Sequence, residues 1–215
     1  MMIEAIVSAV TPKSAPFPMP RLFQCLLILP AFLLAWLLMQ AVHELGHALA
    51  AWASGGTVER VVLHPLAISR ADVEPNPHPL VVVWAGPIVG VVAPALLWGV
   101  AIALRSRIAW PARFFAGFCL LANGLYIGVG SFHGIGDAGE MLGNGSPHWT
   151  LWLFSLLAVP AGLALWNGLG SHFGIGRDAP AVDARTAIIC TASLIAFATL
   201  EWLIWYVCGL DIRTG

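Results

Sequence analysis

Apolar residues do not alternate with polar ones along most of this chain; they run on in long blocks. Five blocks approach or exceed the roughly 20 residues needed to cross a bilayer as a helix. They cover residues 22–53, 79–104, 114–132, 149–170 and 186–210. The first has no charge from 22 to 42 and a proline at Pro30 that predicts a kink; the second stops at Arg105 and Arg107. The third is short and rich in glycine. Trp52, Trp110, Trp149 and Trp152 lie near block ends, where indole rings favour the membrane interface.

The stretch from Gly55 to Pro79 breaks this pattern. Thr57 to His64 and Leu66 to Val73 are rich in β-branched residues, with Gly55-Gly56 before them and Pro65 between. That predicts a short β-hairpin at the membrane surface. Residues 1–21, with four prolines by Pro20, are expected to form a surface segment. The organisation expected is then 1–21 as surface segment, 22–148 as a core of three spans plus the hairpin, and 149–215 as two further spans.

Composition agrees with the pattern. The 215 residues are 59% hydrophobic and only 10% charged, against about 25% charged in an ordinary soluble domain. Mean hydropathy is +0.85. This is the balance of a multi-pass integral membrane protein, expected in the plasma or inner membrane with the lipid bilayer as its surroundings. Net charge is −1 and the basic residues are scattered, which speaks against a nucleic-acid partner. Cys25, Cys119, Cys190 and Cys208 lie in apolar runs without a Cys-x-x-Cys pair and read as buried thiols.

Chemistry enters at the end of the first block, as His43-Glu44-Leu45-Gly46-His47. On a helix, residues four apart share a face, so both imidazoles can reach one metal ion. Glu44 is offset by about 100°, placed to act as a base without being a ligand. That is the arrangement of a zinc hydrolase. Charged groups cost about 2.5–3.5 kcal/mol each at a bilayer centre on insertion scales, so ionisable residues in such a run are functional candidates by default.

Two histidines leave a third protein ligand to be found. If spans two and three each cross once, span three ends on the face where the histidine pair lies, just before Gly134-Ile135-Gly136-Asp137-Ala138-Gly139-Glu140. Asp137, Glu140 and His133 are the candidates. Asp137 also reads as a helix N-cap, with Glu140 three residues on. Asn123, inside span three, can hydrogen-bond across helices or orient a ligand or substrate. Gly86-Pro87 with Gly90 reads as close helix packing, with a substrate-positioning role as the alternative. Glu201, inside the fifth block, reads as a side chain satisfied by a neighbouring helix or as support to a site. His64, His78, His148 and His172 fall in expected loops and read as solvated.

Over residues 35–145, about half of the chain, the sequence resembles the site-2 protease family of intramembrane zinc metalloproteases. The resemblance rests on His43-Glu44-Leu45-Gly46-His47-Ala48-Leu49-Ala50, on Gly55-Gly56 followed by Val58, Val61 and Val62, on Trp84-Ala85-Gly86-Pro87, and on Asp137 ahead of Gly139. The stretch from Gly136 to Trp149 is similar to a less studied branch. The chain departs from the usual pattern at Gly90, where many members have Asn, and at Ala138, where many have Gly. The resemblance implies an all-α membrane protein with a three-helix zinc-binding core. It implies one Zn2+ held by His43, His47 and Asp137, Glu44 as general base, and cleavage of membrane-anchored protein substrates, as in regulated proteolysis. A non-proteolytic zinc-binding scaffold or regulator of the same fold is the alternative. A metal transporter is a third, with no second ligand cluster to favour it.

Overall fold

In a bilayer every backbone polar group must be satisfied within the chain, so uncharged runs of this length become helices. The computed structural model describes residues 19–211, and most of the expected surface segment 1–21 lies outside them. Among the described residues there are six α-helices: α1 (Met19–Ala53), α2 (Pro79–Ala103), α3 (Ala109–His133), α4 (Gly136–Gly143), α5 (His148–Trp166) and α6 (Ala184–Asp211). All but α4 are long and apolar enough to span a membrane, and this is an all-α membrane protein with a small accessory sheet.

The boundaries differ from the sequence reading in instructive places. The first helix runs through Pro30 without a break. The third starts at Ala109, not at 114, because Pro111 fits a first helical turn and Arg113 is accommodated by donating to the Asn167 carbonyl at 2.8 Å. The fourth ends at Trp166 rather than 170; Gly168, at φ +80°, turns the chain into a 3-10 turn over Leu169–Phe173. Asp183 accepts the amide and hydroxyl of Thr186 at 3.0 and 3.1 Å, closing the first turn of α6. Those bonds hold its carboxyl below the usual carboxylate range. Cys25 is exposed, unlike buried Cys119.

The hairpin forms, with shorter strands than expected: β1 (Val58–Val62) and β2 (Arg70–Val73). They pair antiparallel, Val58 opposite Val73 and Val62 opposite Arg70, with an irregularity between Val58 and Arg60. Pro65 cannot extend a ladder, so residues 63–69 leave the sheet as an open connection.

Helix packing places the site. The broadest helix interface is that of α3 with α5. It is close because glycines line it: a Cβ at Gly117 would meet the Trp166 indole, and one at Gly162 would lie 2.8 Å from the Gly117 carbonyl oxygen. The α6 helix lies along α1, with Thr191 Oγ1 donating to the Leu26 carbonyl at 3.0 Å. At one end of the bundle Leu27, Phe114, Leu169 and Phe173 form an aromatic-rich core; His172 beside it is exposed, as expected, and stacks on Trp110 at 4.9 Å. At the other end Val83, Ile127, Ala138, Met141 and Leu151 pack together. Ala138 and Met141 belong to α4, so this second core anchors the short helix that carries Asp137.

Candidate metal centre

The helix α1 carries His43 and His47 one turn apart, and both rings face α2 and α3. Their outer nitrogens are committed. His43 Nδ1 lies 2.7 Å from Asn123 Oδ1, and His47 Nδ1 lies 2.8 Å from the Val82 carbonyl oxygen. The Asn123 amide is oriented by its own Nδ2, which donates to the Cys119 carbonyl at 2.9 Å. Both partners of the imidazoles are therefore acceptors, so each Nδ1 carries the hydrogen and each Nε2 keeps its lone pair.

Those lone pairs converge. The two Nε2 atoms are 3.0 Å apart. Asp137 Oδ2 lies 2.7 Å from His43 Nε2 and 3.4 Å from His47 Nε2. Three electron-rich atoms this close, with both ring hydrogens assigned to the far nitrogens, form a group that could share one cation. His43, His47 and Asp137 are the group among the described residues with ligand atoms near enough to share a metal ion. Two imidazoles and a carboxylate suit zinc.

Asp137 reaches the histidines through an unusual approach. Gly134 caps α3 in the left-handed region at φ +62°, and Gly136 repeats that conformation at φ +55° around extended Ile135. Side chains seldom adopt such φ values, and the double reversal folds the chain back over the end of α3. The Asp137 amide donates to the Tyr126 hydroxyl at 3.2 Å. Asp137 does not cap its helix: Ile135 is the cap residue and no side-chain cap bond is made. Glu140 and His133, the other candidates, are exposed and outside the ligand group.

Glu44 is 4% exposed. Its Oε1 accepts the Ser69 hydroxyl at 2.7 Å, while its Oε2 is buried without a hydrogen-bond partner among the described residues. An orphaned carboxylate oxygen is costly, and Glu44 borders a cavity of about 1260 Å3 whose lining includes His43, His47, Asp137, Tyr126 and the strand β2.

Gly86 and Gly90 explain themselves by what a side chain would displace. A Cβ at Gly86 would collide with the His47 ring and lie 2.8 Å from His43 Nε2. A Cβ at Gly90 would lie 2.9 Å from both heteroatoms of the Asn123 amide. The departure at Gly90 thus leaves room for an asparagine that arrives from α3 instead. Asn123 borders the same cavity and has both polar atoms engaged inside the protein, one of them on His43. Glu201 is buried yet absent from the cavity lining.

Tyr126 and Ser69 carry no motif and were not singled out from sequence. The only local hint was Ser69's place beside a β-branched strand near the metal helix.

The chain matches the Peptidase M50B-like family over residues 22–135, a stretch that contains the histidine pair and stops just before Asp137. No curated protein and no solved structure matches it. With more than half of its length matched, the chain belongs to the Peptidase M50B-like family, membrane metallopeptidases of the site-2 protease type.

Proposed function

We propose that this protein is an intramembrane zinc metallopeptidase that hydrolyses peptide bonds of membrane-anchored protein substrates. The observation that carries the reading is the convergence of His43 Nε2, His47 Nε2 and Asp137 Oδ2 at a cavity that Glu44, with its unpartnered Oε2, also lines. His43, His47 and Asp137 would hold one zinc ion, with Asn123 and the Val82 carbonyl fixing the ring tautomers. Zinc bound there supplies Lewis acidity towards a carbonyl oxygen and towards water.

The rest of the chemistry falls to the chain. Glu44 Oε2 takes a proton from the attacking water as its oxygen adds to the scissile carbonyl carbon. It returns the proton to the amide nitrogen as the C–N bond breaks. Burial keeps competing water away from that carboxylate. The strand β2 pairs with β1 on one edge, and Arg70 to Val73 line the cavity. A substrate segment, once unwound, can add to the other edge, where backbone hydrogen bonds hold it extended. We place the catalytic unit at residues 22–148, since both the histidine helix and the Asp137 helix fall within it; α5 and α6 brace it through α3 and α1.

The test is a comparison of membrane proteomes from cells producing the wild type or Glu44→Gln, with zinc per chain measured on the purified proteins. Membrane proteins shortened only by the wild type, with equal zinc in both, support the reading. Equal zinc with no difference in cleavage would instead indicate a zinc-binding scaffold.

A further inference from the structure

The connection between β1 and β2 is exposed at its middle, where Leu66 is 90% exposed and Ile68 81%. Ile68 and Ser69, the last residues before β2, both border the cavity, and Ser69 is the less exposed of the two. Both of its hydrogen-bond donors are taken by α1. Its amide donates to Gln40 Oε1 at 2.9 Å, and its hydroxyl donates to Glu44 Oε1 at 2.7 Å. Gln40 and Glu44 are one helical turn apart on the same face, and Gln40 is itself 5% exposed.

We infer that Ser69 is the positioning residue for Glu44, and that the hairpin sets which carboxylate oxygen is presented to the reaction. The inference rests on the reading of Glu44 as the base. A glutamate on a helix has three side-chain torsions and two equivalent oxygens. To accept a proton from a defined water, one oxygen must be held and the other left open, since a displacement of about 1 Å can cost two orders of magnitude in rate. The Ser69 hydroxyl holds Oε1. No described residue occupies Oε2. The hydroxyl is in turn held in place, because the amide of the same residue is pinned to Gln40 and the next residue, Arg70, is paired with Val62. No local helix contact supplies this bond: 25 residues separate the partners.

The full chain is produced in cells as wild type, Glu44→Gln, Ser69→Ala, Ser69→Thr and Gln40→Ala. Truncated membrane proteins are quantified by proteomics, and zinc per chain is measured after purification. Ser69→Ala is expected to lower fragment yield at least about tenfold, while Ser69→Thr, which keeps the hydroxyl, stays within about threefold of wild type. Zinc per chain stays at the wild-type level in both. Gln40→Ala releases only the amide and is expected to lose less than Ser69→Ala.

Three results would overturn the inference while leaving Glu44 as the base: wild-type cleavage by Ser69→Ala, a Ser69→Thr defect as deep as that of Ala, or a Gln40→Ala defect equal to that of Ser69→Ala, which would mark a merely structural latch. Loss of zinc in Ser69→Ala would also overturn it, by assigning Ser69 to the integrity of the metal centre. Unchanged cleavage by Glu44→Gln would remove the base itself, and the inference with it.

Discussion

Glu44 and Glu201 occupy comparable positions: each is sunk in a long apolar helix, at 4% and 2% exposure, and each has an Oε2 without a partner among the described residues. Their surroundings differ. Around Glu44 the fold assembles two imidazoles, a second carboxylate, a serine hydroxyl and an open cavity. Glu201 lies on α6, which packs along α1, and does not line the cavity. Burial and an unsatisfied oxygen mark a group as expensive. What would make the expense chemically useful is a partner that fixes the carboxylate and a cavity beside it. Glu44 has the Ser69 hydroxyl and the cavity it shares with the histidines and Asp137.

The strongest way to break this contrast is Glu44→Gln. It removes the proton acceptor and leaves the imidazoles alone, so hydrolysis should fall by about 10²–10⁴-fold at unchanged zinc content, measured by fragment yield and metal analysis. Equal cleavage would put Glu44 in the same class as Glu201.

Gly86→Ala attacks the other half of the contrast, the assembled neighbours. Its Cβ would enter the space of the His47 ring, and a backbone-backed methyl cannot give way easily. The purified variant should lose most of its zinc while remaining helical by circular dichroism. Full zinc content would mean that the imidazoles have room the structure does not show.

Asp137→Ala is expected to weaken zinc binding at least about tenfold, while Glu140→Ala and His133→Ala leave it largely intact. The measurement is zinc stoichiometry during chelator titration. Retention by Asp137→Ala together with loss in either of the others would reassign the third ligand.

Glu201→Gln should change least. Zinc content and cleavage stay as in wild type, and thermal stability in detergent holds or rises, because a neutral amide is cheaper to bury than an unpaired, ionised carboxylate. A loss of cleavage would extend the functional region to α6.

How much of this was legible depends on distance along the chain. The five spans were visible because each is a continuous run, and the hairpin because β-branched residues cluster between turn formers. Span ends were less so: the helical start at Ala109 depends on Arg113 finding the Asn167 carbonyl 54 residues away. The pairing of His43 with His47 followed from helix geometry. Asp137 was one of three candidates by sequence, because its N-cap pattern is equally regular. Only the double left-handed turn at Gly134 and Gly136 shows its carboxylate facing the histidines and not its own helix.

Sequence alone therefore determined that this is a membrane helix bundle with two imidazoles and a carboxylate on one helix. Those features depend on hydrophobic runs and on a period of 3.6 residues, both local. Tertiary structure decided which atoms meet. Asn123 reaches His43 across 80 residues, Val82 reaches His47 across 35, Asp137 reaches His43 across 94 and Ser69 reaches Glu44 across 25. No periodicity encodes contacts of that range. Glycines at Gly86 and Gly90 let α2 approach closely enough to leave room for His43, His47 and Asn123, and the turns before β2 and α4 bring Ser69 and Asp137 to the same cavity.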